Sequence, residues 1–177
     1  MAYIAVSSYI YQEFFGLSET AYSLFFAANA AASVLGPVTY IAINKKVPAR
    51  VIITAALSLA FCGGLAVLLT GRAAPWAFLL SFLPYSFSSS LLRPVSTDTL
   101  LSQQDTDTGS ASALINFGNT AMGSVGMVVA ALPWRDFVTG LGTIAAGCAL
   151  LALLGWAWLL LSDIPLRGIK EGLAVGD

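Results

Sequence analysis

The chain has 177 residues, of which 58% are hydrophobic and 10% are charged, and its net charge is −1. Soluble domains carry about 25% charged residues, so this composition lacks the polar surface that a water-soluble fold requires. There is no His and there are only two Cys, which removes the commonest metal ligands and catalytic bases. With eight Lys and Arg residues and a net charge of −1, the chain has no basic stripe that could neutralise the phosphates of a nucleic acid. We expect an integral membrane protein that is not an enzyme and holds no metal or cofactor.

Residues 1–15 form the first predicted span, which is apolar but short. A helix of this length covers roughly 22 Å, against a hydrocarbon core of about 30 Å. Tyr3, Ser7 and Tyr11 recur at every fourth position and therefore share one helix face. This polar face predicts either a wall of an aqueous cavity or hydrogen bonding between packed helices. Because the span is shortened, we expect the chain to be a fragment of a longer protein.

Residues 21–43 form the second predicted span and carry no charge. About 20 apolar residues suffice to cross the hydrocarbon core. Lys45, Lys46 and Arg50 follow within a short loop. Since Lys and Arg are retained on the cytoplasmic side of a membrane, this loop is predicted to be cytoplasmic and to set the orientation of the protein.

Small residues recur at every fourth position in the second span and in the third, which is predicted at residues 51–69. Such faces let membrane helices approach each other closely. The third span is otherwise nearly featureless and is predicted to face lipid. The two small-residue faces consist of Ala28, Ala32 and Gly36, and of Ala56, Ala60 and Gly64.

The fourth predicted span, residues 76–92, is rich in hydroxyl groups. Ser81, Tyr85 and Ser88 lie along one side, and Pro84 lies near the middle. A proline within a membrane helix frees a backbone carbonyl and kinks the helix, which is tolerated where protein or water satisfies that carbonyl. These features predict that the fourth span lines a polar cavity together with the first.

The rest of the chain is divided into a long polar connection, two further spans and a polar tail. The connection carries Arg93 and the last span is predicted to face lipid. The predicted segments are residues 93–108, 109–132, 137–161 and 162–177.

Side-chain amides stand out in the fifth predicted span. Asn116, Asn119 and Thr120 share one of its faces. A buried amide in a bilayer is costly unless it is paired. We therefore expect these three side chains, and Asn29 of the second span, to lie at interfaces between helices.

The basic residues predict the topology. With six spans and a cytoplasmic tail, six of the eight Lys and Arg residues lie on the side of the basic loop and two on the other. This bias agrees with the rule that positive charge stays inside. Both termini are predicted to be cytoplasmic, in a membrane that we expect to be a bacterial inner (plasma) membrane.

Two stretches resemble the bicyclomycin-resistance (Bcr/CflA) type drug:proton antiporters of the major facilitator superfamily. FGLSETAYSLFFAANAAASVLG, residues 15–36, resembles the region between the seventh and eighth helices of that family. RPVSTDTLLSQQDTDTGSASAL, residues 93–114, resembles its tenth-to-eleventh connection. Asn29 and Gly36 stand at matching positions, whereas Pro37 and Val95 depart from the family pattern.

The resemblance implies a single bundle over residues 1–177 that corresponds to the C-terminal six-helix half of such a carrier. The implied function is proton-coupled efflux of an amphiphilic small molecule, with the substrate bound between this half and a second six-helix half. One half alone is expected to be inactive. The alternative is a non-transporting membrane subunit or scaffold. An intramembrane serine protease is disfavoured because the chain has no His to act as a base.

Overall fold

The computed structural model describes residues 1–103, 108–162 and 169. In this part of the chain every regular element is a helix, which confirms the predicted all-α class. The elements, in chain order, are α1 (Ala2–Ser8), which continues as a π-helix (Tyr9–Phe14), α2 (Glu19–Ile43), α3 (Ala49–Thr70), α4 (Pro75–Leu101), α5 (Thr108–Ala130) and α6 (Phe137–Leu161).

Four of these helices, α2, α3, α5 and α6, are long and apolar enough to cross a membrane. α4 is also long, at 27 residues, but its serines and two internal prolines make it less apolar. α1 and its π-helical continuation remain short. A membrane protein with four spanning helices is thus supported, while membrane spans for the first and fourth segments stay predictions. The predicted tail lies outside the described residues, apart from Ser162 and Ile169.

Side-chain caps fix the starts of two helices. The Ser18 hydroxyl accepts a hydrogen bond from the backbone N–H of Ala21 at the start of α2. The Asp136 carboxylate accepts one from the backbone N–H of Thr139 at 2.6 Å at the start of α6. Each cap satisfies one of the backbone donors that the first turn of a helix leaves unpaired. Asp136 also lies 3.6 Å from the Arg72 guanidinium, which links the start of α6 to the turn after α3.

α4 is longer than the sequence predicts. It continues through both Pro84 and Pro94 to Leu101, so most of the predicted polar connection at 93–108 is helical. Tyr40 near the end of α2 donates a hydrogen bond to the Asp98 carboxylate, which ties this extension to α2. Prolines are tolerated inside membrane helices when surrounding groups satisfy the freed backbone. The prediction that the fourth helix ends near Arg93 is therefore wrong.

Two glycines allow α2 and α3 to approach α4 with their backbones in contact. A Cβ atom placed on Gly36 of α2 would lie 2.7 Å from the backbone nitrogen of Leu91 in α4. One placed on Gly63 of α3 would lie 2.8 Å from the backbone nitrogen of Tyr85, also in α4. These distances are too short for any side chain. α4 is thus held between α2 and α3 by direct backbone contact.

α3 packs against both α4 and α6 and does not form the lipid-facing outer helix that the sequence predicts. Its small residues Ala56, Ala60 and Gly64 are all buried, as expected for a close-packing face. In α2 the corresponding prediction holds only for Gly36, since Ala28 is exposed and Ala32 is half-buried.

Aromatic side chains form the centre of the core where α1, α2 and α4 meet. The ring of Tyr11 lies 5.0 Å from that of Phe25 and 5.3 Å from that of Phe78, measured between centroids. Tyr3 stacks on Phe82 at 4.7 Å. The face of the first helical segment that bears Tyr3 and Tyr11 is therefore directed into the protein interior. We call this group of five rings the aromatic cluster.

We predict that Gly64→Ala destabilises the protein. Its added methyl group would lie 2.6 Å from the Ala146 backbone nitrogen in α6, and overpacking of this kind costs about 1–3 kcal/mol. Thermal unfolding in mild detergent, followed by circular dichroism, measures the loss. Gly155→Ala is the matched control, because nothing lies within 4 Å of the position of its new methyl group. Equal stability of the two variants would contradict the packing of α3 on α6.

Candidate binding cavity

A cavity of about 700 Å³ lies between α1, α2, α4 and α6. Ligand pockets for small organic molecules usually enclose about 300–1,000 Å³. At one end the cavity is bounded by Phe26 and Phe82. At the other end, towards the basic loop, it is bounded by Pro37, Arg93 and Pro94. We call these the closed end and the basic end.

The closed end is aromatic. Tyr3 lies between two rings, with centroids 4.7 Å from Phe82 and 6.0 Å from Phe26, and both pairs are stacked. The Tyr85 ring lies 5.4 Å from Phe82 and also faces the cavity. These rings form a flat apolar surface against which an aromatic or aliphatic group can pack.

The middle of the cavity is lined by hydroxyl groups from α2 and α4. The Ser33 and Ser86 hydroxyls share a hydrogen bond of 2.9 Å that joins the two helices. Ser89 and Ser90 extend this surface towards the basic end, and each donates to a backbone carbonyl of its own helix. Hydroxyl groups retain acceptor capacity after donating one bond. They can therefore accept hydrogen bonds from a bound molecule.

Asn29 contributes an unsatisfied amide. Its side chain lines the cavity and is only 6% exposed. Its buried amide oxygen has no hydrogen-bond partner among the described residues. An unpaired buried acceptor costs free energy, so a donor supplied by a bound molecule would be stabilised here. The sequence places Asn29 at a helix interface; in the structure it is also part of the cavity.

Arg93 is the residue that the sequence analysis missed. The sequence analysis assigns it to the polar connection, whereas in the structure it lies within α4 and is the charged side chain among the described residues that line the cavity. The spacing of Ser86, Ser89 or Ser90, and Arg93 places all of them along one helix face. That pattern is visible in the sequence once the helix is allowed to continue through Pro94.

The predicted cavity residues divide into two groups. Tyr3 and Tyr85 line the cavity. The other four are in the packed interior, because the helix faces that carry them are directed at neighbouring helices. The Ser7 hydroxyl shares a hydrogen bond of 3.1 Å with the Tyr22 hydroxyl, and the Ser81 hydroxyl shares one of 2.7 Å with the Thr70 hydroxyl. Tyr11 lies in the aromatic cluster. Ser88 is fully buried, and its hydroxyl has no partner among the described residues.

The predicted interface residues of α5 are exposed. Asn116, Asn119 and Thr120 all lie on the open surface of this helix, and the Thr120 hydroxyl donates to the Asn116 carbonyl within it. α5 packs loosely, with Ala130 as its one buried residue in the described structure. The described helices therefore do not provide the interface that the sequence predicts for these amides.

The basic loop lies between α2 and α3. Lys45 and Lys46 are exposed in the turn, and Arg50 lies in the first turn of α3. Their position at one end of the bundle is compatible with the predicted role in topology. Which side of a membrane they occupy remains a prediction from their charge.

The described residues form an all-helical protein with four helices that are long and apolar enough to cross a membrane and with a polar and aromatic cavity between α1, α2, α4 and α6. No family model matches the chain, and comparisons with curated proteins and with solved structures found no match either. The relationship to the major facilitator superfamily therefore remains an inference from the residues quoted above.

We predict that neighbouring positions of α4 differ sharply in access to water. In a background in which Cys62 and Cys148 are alanine, Ser89→Cys should react rapidly with a water-soluble methanethiosulfonate reagent, because Ser89 is exposed to the cavity. Ser88→Cys should react slowly, because Ser88 is 0% exposed. Labelling rates in phosphatidylcholine vesicles provide the measurement. Equal rates at the two sites would contradict the orientation of α4.

Proposed function

We propose that this chain is one half of a proton-coupled carrier of the major facilitator type, and that it binds an amphiphilic small molecule in its cavity. The observation that carries the proposal is the cavity itself. It combines stacked aromatic rings with a row of hydroxyl groups between α1, α2, α4 and α6, of which α2 and α6 are long and apolar enough to cross a membrane. The resemblance of residues 15–36 and 93–114 to the Bcr/CflA antiporters supports the same assignment.

A second six-helix half is part of this proposal. Carriers of this type bind substrate between two repeated halves, and transport requires the halves to rock about the central site. α5 exposes both apolar side chains and the amides of Asn116 and Asn119. Amides exposed to hydrocarbon are unfavourable, whereas a neighbouring helix can pair with them. A partner half, from the same gene or from another copy, would supply such a neighbour.

The exposed surface of α5 also favours the alternative, a non-transporting membrane subunit. A subunit needs an unpaired helix face to bind its partner, and it does not need a cavity that binds small molecules. Binding of a small molecule therefore distinguishes the two proposals.

We predict that the full chain in phosphatidylcholine vesicles binds a fluorescent naphthalene derivative but does not accumulate it when a proton gradient is imposed. Equilibrium dialysis measures binding, and dye fluorescence inside the vesicles measures accumulation. Ser89→Trp should abolish binding because it fills the cavity. Ser124→Trp, which places the same bulk on the exposed surface of α5, should leave binding unchanged.

Two outcomes would contradict this proposal. A monomer that accumulates the dye against its gradient would show that no second half is needed. If the wild-type chain binds neither a neutral nor a charged naphthalene derivative, the cavity does not bind small molecules of this kind. The non-transporting subunit is then the better account.

A further inference from the structure

The charge inside the cavity indicates the chemical class of the bound molecule. Arg93 is exposed at the basic end, and its guanidinium forms no ion pair or side-chain hydrogen bond among the described residues. The nearest acidic residue of the same helix, Asp98, accepts a hydrogen bond from the Tyr40 hydroxyl at 2.5 Å instead. The basic end of the cavity therefore has an unbalanced positive charge.

Arg93 lies within the length of α4 and not at its end. α4 continues for eight residues beyond it, about 12 Å of helix. Arg93 and Pro37 both line the basic end of the cavity, and α2 continues for six residues beyond Pro37. The Arg93 side chain is exposed at this end, so water solvates its guanidinium when the cavity is empty. An anionic group that enters the cavity can replace that water.

We propose that the cavity selects amphiphilic anions and that Arg93 binds their anionic group. The guanidinium offers donors in a planar fork that fits a carboxylate, sulfonate or phosphate. Ser89 and Ser90 lie on the same side of α4, between Arg93 and the aromatic rings. The apolar part of the molecule packs on Tyr3, Tyr85 and Phe82 at the closed end. This inference rests on the proposed function, because it names the substrate class of the same cavity.

Asn29 adds a second, independent constraint. Its buried amide oxygen needs a hydrogen-bond donor, and it lies between the two ends of the cavity on α2. A molecule with an N–H or O–H group between its apolar part and its anionic group can supply that donor. An acylated amino acid or an N-aryl aminoalkanesulfonate has this order of groups.

The test compares two molecules of similar shape that differ in charge. Binding of 2-(1-naphthylamino)ethanesulfonate and of the uncharged 2-(1-naphthylamino)ethanesulfonamide to the full chain is measured by equilibrium dialysis in phosphatidylcholine nanodiscs. We expect the wild-type chain to prefer the sulfonate by about tenfold, the contribution of one charge-assisted hydrogen bond at a partly exposed site. Arg93→Gln should reduce this preference to less than about twofold.

Two further variants provide controls. Arg93→Lys keeps the charge without the planar fork, so it should retain part of the preference. Arg135→Gln removes an exposed positive charge from the turn at the opposite end of the bundle and should leave the preference unchanged. A wild-type chain that binds both molecules equally, or a preference that survives Arg93→Gln, would overturn the inference while leaving the cavity intact. If neither molecule binds, the proposed function fails together with this inference.

The anion can come from the aqueous phase or from a lipid headgroup, so the dialysis is repeated with phosphatidylglycerol in the nanodiscs. If the wild-type chain keeps its preference for the sulfonate, the cavity takes a soluble anion. If phosphatidylglycerol displaces the sulfonate from wild type but not from Arg93→Gln, the same residue binds an anionic lipid. Displacement that is independent of Arg93 would contradict the assignment of the anionic group to this side chain.

Discussion

Direct backbone contact between helices is the constraint on which the rest of this structure depends. The hydrophobic effect does little to hold helices together within a membrane, so close van der Waals packing must do so. Gly36 brings α2 onto α4, Gly63 brings α3 onto α4, and Gly64 brings α3 onto α6. These contacts hold α4 in one rotation about its axis. That rotation decides which of its many hydroxyl groups face the cavity and which are buried between helices.

The helices themselves could be predicted from the sequence because long apolar stretches have few alternatives in a membrane. The faces of α4 that line the cavity could not be predicted from the sequence. Ser88 and Ser89 are adjacent in sequence and differ by about 100° around the helix, yet only the packing of α4 on its neighbours decides which one faces the cavity. The continuation of α4 was missed for another reason. Residues 93–108 are polar and were predicted to be a connection, whereas the chain continues as a helix through Pro94 to Leu101.

The cavity has chemically distinct ends. Stacked rings around Tyr3 and Phe82 provide an apolar surface at the closed end, and Arg93 provides charge at the basic end. The polar groups between them all belong to α2 and α4. The buried amide oxygen of Asn29 has no partner among the described residues, in contrast to the hydroxyls of Ser33 and Ser86, which bond each other. A site that offers an acceptor and a cation without partners in the described part of the chain is suited to a molecule that carries a donor and an anionic group.

The contact between α2 and α4 is the central claim, since it forms the wall of the cavity and orients Arg93. Disulfide formation between Ser33→Cys and Ser86→Cys, in a background without Cys62 and Cys148, tests it most directly. The two hydroxyl oxygens lie 2.9 Å apart, so we expect rapid cross-linking within one chain under mild oxidation in phosphatidylcholine vesicles. A control pair that joins Ser86→Cys to Ser124→Cys on the exposed surface of α5 should not cross-link. Failure of the first pair to cross-link in protein that is correctly inserted would contradict the account.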